Sequence, residues 1–497
     1  MKNKAPTALI ILDGFGYSKE SEYNAIVQAH TPCFDKLVTT YPTTLLRASG
    51  IAVGLPEGSI GNSEVGHLTI GSGSIILQPF TMIHEGIKEE TFFANKVLIK
   101  NLQKLKKEKK TVHLMGLLSD ATVHGHIDHL IGFLRAAKQQ GLTDVIIHPF
   151  LDGRDVGPQT SLQYLEKLDQ AIIDLGIGKI GSLHGRFYAM DRDRNWHLTK
   201  QSYYTLIEKQ PSSKKNWQTA LKESYEQNIT DEFLVPVQFE NTPVIEPNDG
   251  IVFWNFRADR ARQLTNAFLC PPPELRLEPF PLSFFITPVS YGPNYPTTSL
   301  YEKPYIQQTL TKMLHDKGYS LFATAETEKY AHVTYFFNGG RETKLEHEKR
   351  VLVPSIESKE FINHPEMSAE TITEVIVTSL RYKPRDFYVV NYANADMIGH
   401  TGNFKATIKA IECLDKQLCM LYEEIVQKRN GTLYITSDHG NAEVMFNKET
   451  NQPCTSHSTN PVFFIMAQQQ LKDVLDELPL EELSDIAPFI VHNMIED

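Results

Sequence analysis

Short apolar runs alternate with amphipathic segments along most of this chain, and that alternation limits the possible fold more than any other feature. Runs at residues 7–12, 111–118, 145–150, 179–183, 251–256 and 282–289 form a first series, and runs at 321–325, 387–392, 433–437 and 462–466 form a second. Several are bounded by turn residues such as Gly, Asp and Asn, and each is of strand rather than helix length, which marks buried strands. Strands that alternate with helical segments need crossover connections, so the pattern implies α/β architecture with mostly parallel sheets. Ile408, Ile411, Leu414, Leu418 and Ile425 supply the apolar stripe of one such helix ahead of the run at 433. With 497 residues the chain exceeds the size at which one hydrophobic core stops growing, so at least two domains are expected.

The residues with chemistry to offer lie toward both ends. Residues 61–67 read GNSEVGH, which makes Ser63 a candidate nucleophile. A serine hydroxyl is barely nucleophilic at neutral pH and needs an adjacent base or a metal. No GxSxG elbow frames Ser63 and no Ser, Asp, His series follows at hydrolase spacing, so a triad is weakly supported and the metal reading is the stronger. Asp13 closes the first expected strand, where a carboxylate points into the crevice that α/β sheets use for ligands. Asp396 and His400 have DxxxH spacing and share one side of a helical turn. Asp438 and His439 follow the run TLYITS directly, and His457 stands in TSHSTNP. Together these side chains can hold two divalent cations beside Ser63. The glycine-rich stretch 50–73 reads as a loop carrying Ser63, and Thr31 with Pro32 reads as a helix cap and first helical residue.

For the ends to meet at one site, the middle of the chain must be an inserted domain. The boundaries implied are 1–77 and 303–497 for a split domain and 78–302 for the insert. Hinges are expected near 74–80 and in the Pro-rich stretch 291–305. The insert carries Arg154 beside Asp155 in LDGRDV, Arg186 and Arg192 in GRFYAMDRDRNW, and Arg257 and Arg260 in WNFRADR. Guanidinium forks placed just after strands match phosphate and carboxylate geometry. Asp155 among these cations is a candidate base for a substrate hydroxyl, and Lys329 offers a further positive charge near Ser63. Residues 124–129 read HGHIDH, the HxHxDH pattern of metallo-β-lactamase-type binuclear hydrolases. That fold would leave Ser63 and the C-terminal ligands without a role, so His124 is read instead as a donor to a substrate anion.

Net charge of -11 disfavours partners such as nucleic acid or an anionic membrane. The basic run 104–110 lacks interleaved aromatics and reads as a solvated helix end. No apolar run is long enough to span a bilayer and the N-terminus has no signal-peptide core, so a cytoplasmic protein is expected. Five scattered cysteines without CxxC argue against a disulfide framework or a thiolate zinc site.

Taken together, the strings LDGFG, GNSEVGH, HGHIDH, LDGRD, GRFYAMDRD, NFRADRARQ, ETEKYAHVTYFFNGG, NYANADMIGHTG, TSDHGNAE and HSTNP resemble the cofactor-independent phosphoglycerate mutases of the alkaline phosphatase superfamily. The resemblance runs in order over nearly the whole chain. It departs at ATVHGH and NYANADMIGH, where the family more commonly has GVHSH and NYANPDMVGH, without touching a charged residue. It implies two α/β domains, an alkaline-phosphatase-like metal domain split by an inserted transferase domain. It implies 3-phosphoglycerate and 2-phosphoglycerate as substrates, a phosphoserine at Ser63, and a small anionic substrate gripped by a segment that closes before transfer. Asp396, His400 and His457 would hold one cation, and Asp13, Ser63, Asp438 and His439 the other. The ions implied are Mn²⁺ first and Mg²⁺ second, with no bisphosphoglycerate. His124, Arg154, Asp155, Arg186, Arg192, Arg257, Arg260 and Lys329 would contact substrate, Asp155 and Lys329 with catalytic roles, and the chain would be a monomer. A simple metal-dependent phosphatase or sulfatase, or a non-catalytic metal or phosphate binder, are the alternatives.

Overall fold

The structure is a computed structural model that describes residues 5–209, 214–302, 306–474 and 476–495. The chain separates into two compact units, one made of Met1–Gln78 with Pro304–Asp497 and the other of Pro79–Lys303. Both are α/β. No helix among the described residues is long and apolar enough to cross a membrane.

In the first unit a seven-stranded sheet runs in the order Glu348–Val353, Leu321–Glu326, Phe387–Tyr392, Thr7–Leu12, Thr432–Thr436, Val462–Ala467, Thr43–Leu46. The first five are parallel, Val462–Ala467 runs antiparallel to them, and Thr43–Leu46 pairs antiparallel with Val462–Ala467. Thr7 lies opposite both Phe387 and Thr432, and Phe387 lies opposite Leu321, so four strands end level at one edge. Ala8, Ile10 and Leu12 pack into the core on one face, with Ile376 and Leu414, while Leu9 and Ile11 pack on the other with Ile70 and Phe337. Burial on both faces is why these strands read as unbroken apolar runs. Helix Phe404–Tyr422 buries Ile411, Leu414 and Leu418 against the sheet, and its π-helical continuation Glu423–Gln427 buries Ile425.

The second unit repeats the plan with an eight-stranded sheet. Its path is Thr298–Tyr301, Phe284–Val289, Gly250–Phe253, Val112–Leu118, Val145–Leu151, Ser182–Gly185, Val237–Gln238, with Lys179–Ile180 also pairing with Val145–Leu151. Only the short strand Val237–Gln238 is antiparallel. The run at 179–183 breaks at Gly181, where a Cβ would meet Ile146 at 2.5 Å. Part of the expected hinge at 291–305 is the edge strand Thr298–Tyr301, and residues 303–305 lie outside the described residues. The lysines of 104–110 decorate the exposed end of helix Lys96–Glu108.

Two local expectations are corrected. Residues 50–73 are not one loop: Ser63 is the first residue of an α-helix, Ser63–Ser72, capped by the Asn62 side chain, which accepts from Val65 N at 3.1 Å. Glycine usually weakens a helix, but here it lets the helix lie against other backbone. A Cβ on Gly66 would come within 2.5 Å of Asp438 O and one on Gly71 within 2.0 Å of Phe337 O. Thr31 makes no side-chain cap bond to helix Pro32–Thr40. Asp415, from helix Phe404–Tyr422, does so instead, accepting from Cys33 N at 3.2 Å and Phe34 N at 2.7 Å.

The seating of helix Ser63–Ser72 is therefore set by its glycines. Gly71→Ala is expected to lower unfolding free energy by about 1–3 kcal/mol, the usual cost of forcing atoms into a filled core. Urea denaturation checks this; an unchanged midpoint would mean that the helix is not held against Phe337.

Candidate active site

Level strand ends put acidic residues together at one edge of the seven-stranded sheet. Asp13 follows strand Thr7–Leu12, Asp438 follows Thr432–Thr436, and Asp396 lies on helix Asn394–Gly399 just after Phe387–Tyr392. All three are buried, with Asp13 and Asp438 fully so. Lys329, in the turn after Leu321–Glu326, reaches into them. Its Nζ lies 2.7 Å from Asp13 Oδ1, 2.7 Å from Asp396 Oδ2 and 2.7 Å from Ser63 Oγ. Burial alone would push this ammonium toward neutrality, but the carboxylates of Asp13, Asp396 and Asp438 outweigh it and hold the lysine charged. Burial also opposes the charge on Asp438, where His439, His67 and Lys329 win and keep it ionised.

Ser63 Oγ is the meeting point. It donates to Asp13 Oδ1 at 3.2 Å, accepts from Lys329, and lies 3.0 Å from His439 Nε2. As the first residue of a ten-residue helix, it also sits where free backbone N–H groups favour an anion. The cleft here is about 440 Å³, lined by Ser63, Glu64, Lys329, His332, Asp396, His400 and His457 among others.

The histidines are oriented through the ring nitrogen that faces away. His400 Nδ1 donates to Thr455 O at 2.7 Å and His457 Nδ1 to Gly61 O at 2.8 Å. That fixes the tautomer and leaves Nε2 as a lone pair, the second-layer arrangement that metal-binding imidazoles use. His400 Nε2 and His457 Nε2 then face each other at 3.0 Å, with Asp396 Oδ1 3.3 and 3.1 Å away. Two lone pairs at that distance repel unless they share a cation or one ring takes a second proton. Two nitrogens each ~2.1 Å from one metal ion sit about this far apart. Asp438 Oδ2, buried, has no hydrogen-bond partner among the described residues; the nitrogen beside it, His67 Nδ1 at 3.2 Å, donates to Ser63 O. Three carboxylates against one ammonium, with lone pairs converging, make a donor set that fits divalent cations. Candidate ligand groups are Asp396, His400 and His457; Asp13, His67 and Asp438; and Asp13, Asp396 and His439.

The second unit assembles its own cluster at the equivalent edge. Arg154 and Asp155 follow strand Val145–Leu151, Arg186 follows Ser182–Gly185, Arg257 and Arg260 follow Gly250–Phe253, and His124 follows Val112–Leu118. Arg186 is buried, with Nη1 2.5 Å from Asp152 Oδ1 and 2.6 Å from Asp155 Oδ2. Asp259 gathers Arg192 at 2.9 Å, Arg257 at 3.3 Å and His124 Nδ1 at 3.6 Å. Burial and then the nearby Arg192, Arg186 and Arg154 charges lower the Arg260 pKa. Burial, followed by Arg186, brings His124 down to about 4, so its ring is neutral at pH 7. Arg154, Arg192 and Arg257 remain exposed, with forks able to meet an anion.

All the site residues read from the sequence in the first unit, Asp13, Ser63, Lys329, Asp396, His400, Asp438, His439 and His457, are in this one cluster. Those in the second unit, His124, Arg154, Asp155, Arg186, Arg192, Arg257 and Arg260, are in the other. Sequence reasoning missed His67, four residues after Ser63 on the same helix face. It also missed Asn391, whose Nδ2 donates to Asp13 Oδ2 at 2.7 Å, and Asn441, whose Nδ2 donates to Asp396 Oδ1 at 2.8 Å. Asp152 and Asp259, which organise the arginines, were missed too. Helical i, i+4 spacing marks His67 only once residues 63–72 are known to be helical.

Residues 83–285 match the family described as BPG-independent PGAM N-terminus, and residues 292–459 match type I phosphodiesterase / nucleotide pyrophosphatase. A 2,3-bisphosphoglycerate-independent phosphoglycerate mutase of Clostridioides difficile (strain 630) is 41% identical over 496 residues, covering 99% of this chain and 96% of that protein. One from Legionella pneumophila subsp. pneumophila (strain Philadelphia 1) is 42% identical, covering 94% of this chain and 91% of its own length. Among solved structures, Leishmania mexicana phosphoglycerate mutase, crystallised at low cobalt concentration, superposes with a TM-score of 0.62 at 28% identity, covering 99% of this chain and 96% of that one.

The charge balance around Ser63 sets a pH dependence for metal-stripped protein. Although burial opposes it, Asp438, Asp13 and Asp396 hold His439 up at about 9, against about 6.5 in the unfolded chain. Its contribution to stability is complete below about pH 6.5 and is lost as pH rises through about 9. With chelator present, the urea midpoint should therefore fall between pH 6.5 and 9.5, and His439→Gln should remove that fall. The same decline in the variant would assign the titration to another group.

Proposed function

The chain belongs to the 2,3-bisphosphoglycerate-independent phosphoglycerate mutase family, and from that membership we propose that it interconverts 3-phosphoglycerate and 2-phosphoglycerate through a phosphoserine at Ser63. The observation that carries this reading is the buried Ser63 hydroxyl, held at a helix N-terminus between Lys329, Asp13 and His439.

On this reading Asp396, His400 and His457 hold one divalent cation, and Asp13, Ser63, Asp438 and His439 the other, with His67 beside the second. When bound, Mn²⁺ or Mg²⁺ supplies Lewis acidity that makes the serine hydroxyl acidic and offsets phosphoryl charge. Lys329, kept charged and 2.7 Å from Oγ, stabilises the serine oxygen as it gives up its proton and offsets the charge on the equatorial oxygens of the transferring phosphoryl group. The helix N-terminus aims its dipole at the same group. Transfer leaves glycerate, whose carboxylate the arginine cluster retains by bidentate pairing. His124, neutral, is free to donate one N–H or accept a proton at the other nitrogen. Asp155, anchored by Arg186, exchanges protons with the glycerate hydroxyls. Once glycerate turns to present its 2-hydroxyl, the phosphoryl group returns to give the 2-isomer, and no bisphosphoglycerate is needed. The chain then works as a cytoplasmic monomer on a small anionic substrate, in glycolysis and gluconeogenesis.

Mn²⁺-loaded protein given 3-phosphoglycerate without bisphosphoglycerate should produce the 2-isomer by ³¹P NMR with no free phosphate; phosphate release alone would make the chain a hydrolase and overturn the proposal. Ser63→Ala should cut turnover by at least ~10³-fold while leaving the circular dichroism spectrum unchanged, and appreciable residual turnover would refute covalent transfer. Arg257→Ala should raise KM at least ~10-fold, the scale of losing a charged contact, with metal content intact. Loss of metal in that variant would mean that Arg257 supports the cation site instead.

A further inference from the structure

The HGHIDH stretch divides between two places. His124 joins the arginine cluster, whereas His126 and His129 turn away with helix Ile127–Gln139 and meet His84 of helix Pro79–Lys88. One ring nitrogen from each of His84, His126 and His129 lies within 4.8 Å of the other two. Ring centroids are 5.8 Å apart for His84 and His126, 5.9 Å for His84 and His129, and 5.5 Å for His126 and His129. Phe80 packs against all three rings, at 5.2, 5.3 and 5.0 Å.

His129 is fully buried, and neither of its ring nitrogens has a hydrogen-bond partner among the described residues. An imidazole with an unmet donor and an unmet acceptor in an apolar setting is rare, because the desolvation of both goes uncompensated. No cross-ring hydrogen bond satisfies the trio. We propose that His84, His126 and His129 form a binding site for a borderline transition-metal cation, Zn²⁺ in the first instance, in addition to the carboxylate-rich cluster around Ser63.

The donor chemistry selects the ion. Three imidazoles without a carboxylate ligand suit Zn²⁺, Co²⁺, Ni²⁺ or Cu²⁺ and offer little to Mn²⁺ or Mg²⁺, which favour oxygen. Three nitrogen ligands leave a fourth tetrahedral position for water or a small anion. Burial pushes His126 and His129 down, so both rings are neutral at pH 7, the form that ligates. His126 Nδ1 accepts from Asp128 N at 3.2 Å, which places the ring proton on Nε2 in metal-free protein. Ligation through Nε2 moves that proton to Nδ1, which gives up the bond from Asp128 N and faces the Asp128 carboxylate, 3.7 Å away. A small rotation that closes this gap completes a carboxylate–histidine–metal arrangement and leaves the proton count of His126 unchanged. An ion held this way ties helix Pro79–Lys88 to helix Ile127–Gln139, which already touch through Ile87 and Gly132.

The test counts metal on the full chain. Stripped protein is saturated with Mn²⁺, titrated with Zn²⁺ and desalted, and both metals are measured by mass spectrometry. One Zn²⁺ per chain should bind over the Mn²⁺ content, and Co²⁺ in its place should give the intense visible absorption of a tetrahedral nitrogen site. His84→Gln, a change at a half-buried position, should weaken that equivalent at least ~10-fold and leave bound Mn²⁺ unchanged. Asp128→Asn should weaken it by about 10-fold or more through the second layer. Zn²⁺ that binds equally well to His84→Gln, or that binds only by displacing Mn²⁺, would overturn the proposal.

Discussion

Three buried carboxylates and one buried ammonium, within hydrogen-bonding reach of a single serine hydroxyl, set the terms for the rest of the first unit. Asp13, Asp396 and Asp438 are buried together where isolated charge is costly. Lys329 compensates part of that charge, and the imidazoles supply lone pairs rather than protons where their Nδ1 atoms are tied to carbonyls. The cluster is thus short of positive charge by construction. A protein optimised only for stability would replace such a set with apolar side chains of similar volume, often at no loss. Keeping it suits a site whose donor set fits divalent cations.

The sheet makes this concentration possible from residues that are hundreds of positions apart. Parallel strands in level register deliver their following residues to the same edge, so Asp13, Lys329, Asp396 and Asp438 converge although four different strands supply them. The second unit uses the same device for the opposite charge, with Arg154, Arg186 and Arg257 each just beyond a parallel strand. One geometric rule therefore yields an acid-rich edge in one unit and an arginine-rich edge in the other. Sequence alone decides which, through the acids after TALIIL and TLYITS and the arginines of LDGRD and WNFRADR.

The legible parts of the chain were those where side-chain pattern and backbone demand agree. Runs such as 387–392 and 462–466 are buried on both faces and read directly as strands. The ligand types at their ends were equally readable, because an acid or histidine following an apolar strand has few structural reasons to be there. Ser63 joins the cluster of acids and histidines expected around it, but as the first residue of a helix and not in a loop. Three glycines in GNSEVGHLTIGS suggest a loop on propensity, and only the approach of Gly66 to Asp438 and of Gly71 to Phe337 shows why a helix tolerates them. The missed residues share another property: Asn391, Asn441, Asp152 and Asp259 act by holding a site residue in place. Their partners are distant in sequence, and nothing local distinguishes them from ordinary polar residues. Asp415 is the same case in miniature, capping a helix some 380 positions earlier that Thr31 was expected to cap.

The histidine-rich hexapeptide shows the limit of a motif from the other side. In HGHIDH the spacing of three histidines and an aspartate suggests one metal centre, and a single backbone conformation would be needed to make it so. Instead the helix begins inside the motif. His126 has extended backbone and caps the helix, His129 lies within its first turn, and His124 remains in the preceding loop. A helical turn separates residues two apart by roughly 200°, so a motif that straddles a helix start cannot keep its members on one side. The ligands that remain together, His126 and His129, acquire their third from His84, on another helix, for which no local pattern exists. What a metal motif specifies is therefore conditional on where the helix starts. In this chain that start sends one histidine toward the arginine cluster and two toward a nitrogen-only pocket.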